Sequence, residues 1–111
     1  MTILHLALTA DWDDARRAGE YRMSTIGRTL EEEGFIHACA DHDQLRGVVE
    51  RFYRDVGEPL TLLEIDPSGL DVRFEVPADA PEAFPHVYGP LPVSAVVSAV
   101  PFAVPRDDPP R

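Results

Sequence analysis

Apolar positions recur along this chain with two different periods, and the switches between them predict its elements. Ile3-Leu4-His5-Leu6-Ala7-Leu8 is apolar on both faces with one polar interruption, the pattern of a strand buried on both sides. His5 shares a face with Ile3 and Ala7, so its imidazole is expected to point into a layer or a cleft; the plainer alternative is a core histidine with a backbone partner. Thr9 is expected to cap a short helix ending near Gly19, packed through Trp12 and Ala15, with Asp11, Asp13 and Asp14 suited to its positive end. No period emerges from Glu20 to Arg28, and irregular chain is expected there. Leu30-Glu31-Glu32-Glu33-Gly34 reads as one acidic turn closed by glycine, its glutamates in water.

A second strand is expected over Phe35-Ile36-His37-Ala38-Cys39, with Phe35, His37 and Cys39 on one face. Asp41 or Asp43 then caps the clearest helix, in which Leu45, Val48, Val49, Phe52 and Val56 recur at helical spacing up to Gly57. Leu60–Asp66 and Asp71–Val76 are expected as strands joined by the turn Pro67-Ser68-Gly69-Leu70. In the second of them Val72, Phe74 and Val76 face the core, with Arg73 and Glu75 opposite. A direct hairpin would set Glu64 across from Arg73. Val93–Phe102 reads as the last strand. The order of elements predicts a single α+β domain with a largely antiparallel sheet and one main helix, over residues 1–104, followed by a disordered tail at 105–111.

One stretch departs from these periods. Phe84-Pro85-His86-Val87-Tyr88-Gly89-Pro90-Leu91 places an imidazole and a phenol between two prolines that fix φ and remove donors. It is expected to be a stiffened loop, neither helix nor central strand, that forms the wall of a site.

Composition narrows the class. A chain of 111 residues is one domain in size, and no apolar run approaches the ~20 residues that cross a bilayer. The first residues lack a signal-peptide pattern, so a cytoplasmic location is expected, with no membrane partner. The net charge is −10, and all ten cationic residues are arginines interleaved with acids. Phosphate backbones are bound by clustered positive charge, so nucleic acid is not an expected partner and a small molecule is.

The candidate chemistry lies in His5, His37 and His86, which with Tyr88 read as the lining of one polar cleft, joined by Glu75 if its face of the sheet is the cleft side; Tyr21, Ser24 and Thr25 in the irregular stretch could face a ligand, the plainer alternative being a surface loop. Glu75 could stabilise a developing cation or orient a hydroxyl; the blander reading leaves it a solvated neighbour of Arg73. His37, Cys39 and His42 have the spacing H-x-C-x-x-H, which matches no common zinc framework, and no metal is expected. No glycine-rich phosphate loop or nucleophile elbow occurs.

His5 in a first strand, Trp12, Gly19-Glu20-Tyr21, Glu33-Gly34-Phe35-Ile36-His37, Phe52-Tyr53, Glu75 and Phe84–Leu91 together resemble the bacterial domain of unknown function family 952 (DUF952), from about Ile3 to Phe102. That resemblance implies a fold similar to the ADP-ribosyltransferase superfamily, a split antiparallel β core whose cleft holds NAD in active members. On that basis His5, Tyr21, His86 and Tyr88 are expected to bind a ligand, and Glu75 and His37 to be catalytic. NAD is the leading candidate substrate. His37 stands where a Tyr or Ser is often found, and Cys39 where the family often has Ser. The alternative is a non-catalytic module that binds a nucleotide or other small molecule in the same cleft.

Overall fold

The core of the protein is built on β1 (Ile3–Leu8), which is buried on both faces. In the computed structural model, which describes residues 1–78 and 80–104, Ile3 and Ala7 enter one apolar cluster and Leu4 and Leu6 another. The tail expected at 105–111 lies outside the described residues. After β1 come α1 (Thr9–Ala18), β2 (Glu20–Tyr21), β3 (Met23–Thr25), β4 (Arg28–Thr29) and α2 (Leu30–Glu33). Next are β5 (Ile36–His37), α3 (His42–Val48), a π-helical turn (Val49–Tyr53), β6 (Leu60–Ile65) and β7 (Val72–Glu75). The chain then runs through β8 (Phe84–Val87), β9 (Leu91–Pro92), a 3-10 turn (Val93–Ala95) and β10 (Val96–Phe102).

Two three-stranded antiparallel sheets carry the fold, ordered β1-β6-β10 and β5-β8-β7. An isolated bridge between Leu4 and Cys39, closed by reciprocal backbone bonds of 2.8 and 2.7 Å, links them. β2 pairs with β9 and β3 with β4 as small ribbons. The chain is therefore an α+β domain with antiparallel sheets and few helices.

The expected hairpin between β6 and β7 does not form. Both edges of β6 are taken, by β1 and β10, so the turn at Pro67–Leu70 hands the chain to the other sheet. Glu64 accepts from the Thr2 hydroxyl at 2.8 Å, and Arg73 pairs with Asp71 at 2.9 Å. The faces of β7 follow the expected alternation, but only Val72 reaches the core. Phe74 and Val76 stand exposed, because β7 is an edge strand that overhangs the packed layer.

Phe84–Val87 was expected as loop and is the central strand of its sheet. The prolyl carbonyl of Pro85 accepts from Ala38 N on the β5 side. In an antiparallel ladder the N–H of the same residue points that way too, so the missing donor falls beyond the end of the two-residue β5 and takes nothing from pairing with β7.

Helix ends follow the expected chemistry at two places. Asp41 accepts from Gln44 N at 2.9 Å and caps α3. Thr29 and Glu32 form a capping box on α2, closed by Gly34 at φ +88. Thr9, expected as a cap, is the first helical residue of α1, and its hydroxyl meets that of Thr61 at 2.8 Å. The region from Glu20 to Arg28, expected irregular, forms β2, β3 and the start of β4. The expected last strand gives up Val93–Ala95 to a 3-10 turn.

Candidate functional site

The register of the β5-β8-β7 sheet assembles the site. His37 pairs with His86, and His86 with Arg73, so these three share one face. The two-residue period adds Phe35, Tyr88 and Glu75 to that face, while Ile36, Pro85 and Val87 are buried on the other.

Glu75 is the hub of this face. Its Oε1 accepts from His86 Nδ1 at 2.8 Å and from the Tyr88 hydroxyl at 2.6 Å. The Tyr88 hydroxyl, and after it His86, hold the Glu75 carboxyl below the usual carboxylate range; the same bond raises the Tyr88 phenol. An ionised carboxylate can only accept, so Nδ1 of His86 carries the proton. Oε2 of Glu75 has no hydrogen bond among the described residues, and the side chain is 41% exposed. His86 is buried, and its Nε2 has no hydrogen-bond partner among the described residues. Leaving a buried acceptor unmatched costs about 1–3 kcal/mol. Phe35 stacks on the His86 ring at 4.0 Å and 15°, and meets the rings of His37 and Tyr88 at 4.8 and 5.4 Å. The Arg73 guanidinium lies 4.2 Å from the Tyr88 ring centroid.

His37 links this face to α2. Its Nε2 stands 3.4 Å from Glu33, whose other oxygen holds Arg28 at 2.7 Å. Of the glutamates expected on a solvated face, Glu31 and Glu32 are exposed, and Glu33 is half-buried and engaged. Glu31 pairs with Arg22 at 2.5 Å and Glu32 belongs to the capping box.

His5 and Tyr21 form a second, fully buried pair. His5 Nδ1 lies 2.5 Å from the His37 carbonyl oxygen and Nε2 lies 2.9 Å from the Tyr21 hydroxyl. A carbonyl only accepts, so Nδ1 bears the hydrogen. Burial lowers the imidazole pKa to about 4, so Nε2 is an acceptor and the tyrosine donates. Burial likewise pushes the Tyr21 phenol up. Both ring nitrogens of His5 are thus matched within the protein. The pair ties β1, β2 and β5 together.

A cleft of about 500 Å³ opens beside the sheet face, on the Leu4–Leu6 side of β1. His5 and His37 contribute to its lining; Tyr21, Glu75, His86 and Tyr88 do not. The single polar cleft expected from sequence is therefore divided. A mostly apolar cavity and a polar sheet face are separate surfaces that meet near His37, Glu33 and Phe84. Arg28 and Arg51 at the cavity were not marked as site residues by any local pattern, and Tyr53 entered only as part of the Phe52-Tyr53 piece of the family resemblance. Among the described residues no group of three His, Cys, Asp or Glu side chains could hold a metal. Cys39 is buried among aliphatic side chains, which push its thiol up to about 12.

Solved structures of protein CC0527 from Caulobacter crescentus resemble this chain. The crystal structure is 29% identical, covers 91% of this chain and 85% of its own, and superposes with a TM-score of 0.75. The solution NMR structure is 28% identical, covers 89% and 82%, and gives 0.72. No curated protein matches the chain. The model of the family described as protein of unknown function (DUF952) matches residues 6–99, so the chain belongs to the DUF952 family.

Proposed function

We propose that the protein is an NAD-consuming enzyme of the ADP-ribosyltransferase type, with Glu75 as its catalytic carboxylate. The observation that supports this reading is the state of Glu75. One oxygen is held by two donors, the other is open, and the group is ionised beside a cleft. Such a carboxylate can accept from a ribose hydroxyl and stabilise the cation that develops as the bond between ribose C1′ and the nicotinamide nitrogen breaks. Nicotinamide leaves with the bonding electron pair, and an acceptor hydroxyl or water adds to C1′ and gives up its proton to solvent. His86 and Tyr88 fix the carboxylate. His37, at the junction of the sheet face and the cleft, meets the substrate between them. His5 and Tyr21 act in this reading as positioning residues, since their polar atoms are bonded to each other and to the His37 carbonyl.

A second reading is favoured by a different observation. Glu75, His86 and Tyr88 do not line the cavity, so a ligand seated there could be held without touching them. In that case the domain is a binding module. Calorimetric titration with NAD, followed by a nicotinamide-release assay, separates the two. Binding with release supports the enzyme, binding without release supports the module, and the absence of both removes NAD as the ligand.

A further inference from the structure

Regular helical spacing would carry Phe52 to the packed side of its helix with Leu45 and Val49. It does not arrive there. α3 keeps α-type spacing to Val48, and Val49–Tyr53 then wind as a π-turn that takes up an extra residue. Tyr53 is buried in its stead, at 3% exposure, and its hydroxyl donates to the Leu6 carbonyl at 3.2 Å. Phe52 is left 53% exposed and lines the cleft. Such turns are rare within helices and occur frequently at functional sites. Here the effect is to put an aromatic ring on the cavity wall, where an ordinary helix would have buried it in the core.

We propose that this cavity binds a small uncharged molecule carrying an aromatic ring, with the ring against Phe52 and the remainder between β1 and α3. The proposal concerns the apolar cavity, not the Glu75 face, and does not rest on the NAD reading. The volume of about 500 Å³ lies within the range of small-molecule pockets. Leu4 and Leu6 of β1, Leu45 and Val48 of α3, and Phe84 supply apolar walls. The polar side chains of the described lining already have partners. His5 has both ring nitrogens matched. The Tyr53 hydroxyl donates to Leu6 and is hydrogen-bonded to Thr25. Glu33 holds Arg28 at 2.7 Å and stands near His37. The Arg51 guanidinium lies 5.5 Å from the Phe52 ring centroid and is engaged elsewhere as well. Cys39 keeps its thiol proton, since burial raises its pKa to about 12. A charged ligand would therefore lose its water without gaining a partner, or break one of these pairs. An uncharged one incurs neither cost.

N-phenyl-naphthylamine and anilinonaphthalene sulfonate, fluorescent probes of the same ring systems that differ by one negative charge, test this on the intact chain. The neutral probe is expected to bind one to one, and the sulfonate about tenfold or more weakly, the scale of one charge desolvated without a partner. Phe52→Ala should weaken the neutral probe about fivefold, the scale of one aromatic contact. Phe74→Ser removes an equally exposed ring that does not line the cavity and should change nothing. Val48→Trp, which fills the cavity, should abolish binding while circular dichroism remains that of the folded protein. Absence of binding by the neutral probe, equal affinity for the sulfonate, undiminished affinity in Phe52→Ala, or an equal loss in Phe74→Ser would overturn the proposal. Because Phe52 is exposed, its variant reports on the site even if Val48→Trp fails to fold.

Discussion

His5 shows how one residue's chemistry is set by what the fold gives it. The alternation of the first strand was enough to place its imidazole inward with Ile3 and Ala7. A buried histidine with a backbone partner was the plainer of its two readings and is what forms, but which residues pair with it was not legible, because Tyr21 lies in a two-residue strand and the His37 contact is through main chain. The folded pKa of about 4 lies below the unfolded value of 6.5, so the unfolded chain takes up a proton first. His5 thus contributes stability that is fully present above pH 6.5 and is lost as pH falls towards 4, roughly 3 kcal/mol in all. The imidazole resonances of His5 should accordingly stay fixed from pH 8 to 5 by NMR; a midpoint near 6.5 would contradict the assignment. Tyr21→Phe removes the donor to Nε2 while keeping the ring. It should cost about 1–3 kcal/mol in urea denaturation, the penalty of an unmatched buried acceptor.

At the level of elements, periodicity and caps were read correctly where the chain obeys them. Trp12 and Ala15 pack α1, and Asp41 caps α3. It failed where a local rule is overridden by neighbours. Pro85 argued against a central strand, yet β5 is too short to need the missing donor. Phe52 had helical spacing, yet the π-turn turned it outward. The hairpin between β6 and β7 had good turn residues but no free edge to pair with. Glycine chemistry gives a contrast that can be measured. Gly89, just past β8, has φ +112, and an added Cβ there would meet nothing within 4 Å. Gly89→Ala should therefore destabilise by about 1–3 kcal/mol through backbone conformation alone. Gly47 lies inside α3 with equally open space and no positive φ, and Gly47→Ala should stabilise by about 1 kcal/mol. Thermal melts of the two variants should move in opposite directions.

Seen whole, the molecule is two antiparallel sheets with a polar face on one and a mostly apolar cleft alongside. The antiparallel α+β class was legible from the order of elements. The division of the candidate site was not, because it depends on which sheet each strand joins, and strand order is not written in local periods. Glu75, His86 and Tyr88 converge as expected, whereas His5 and Tyr21 converge separately. The same topology makes β6 and β8 the inner strands and β7 and β10 edges. Hydrogen exchange should be slowest in β6, which is paired along its length on both sides, and fast at the outward amides of β10. Equal protection of β10 would mean that its edge, unpaired among the described residues, is covered.

The central claim is that the Glu75 carboxylate carries chemistry. Nicotinamide release from NAD, measured on the wild-type chain and on Glu75→Gln, tests it most directly. The account predicts release by the wild type, a loss of about 100-fold or more in the variant as for other single electrostatic contacts to a transition state, and NAD binding that survives the substitution. Release at an undiminished rate by Glu75→Gln, or none from the wild type, would contradict it.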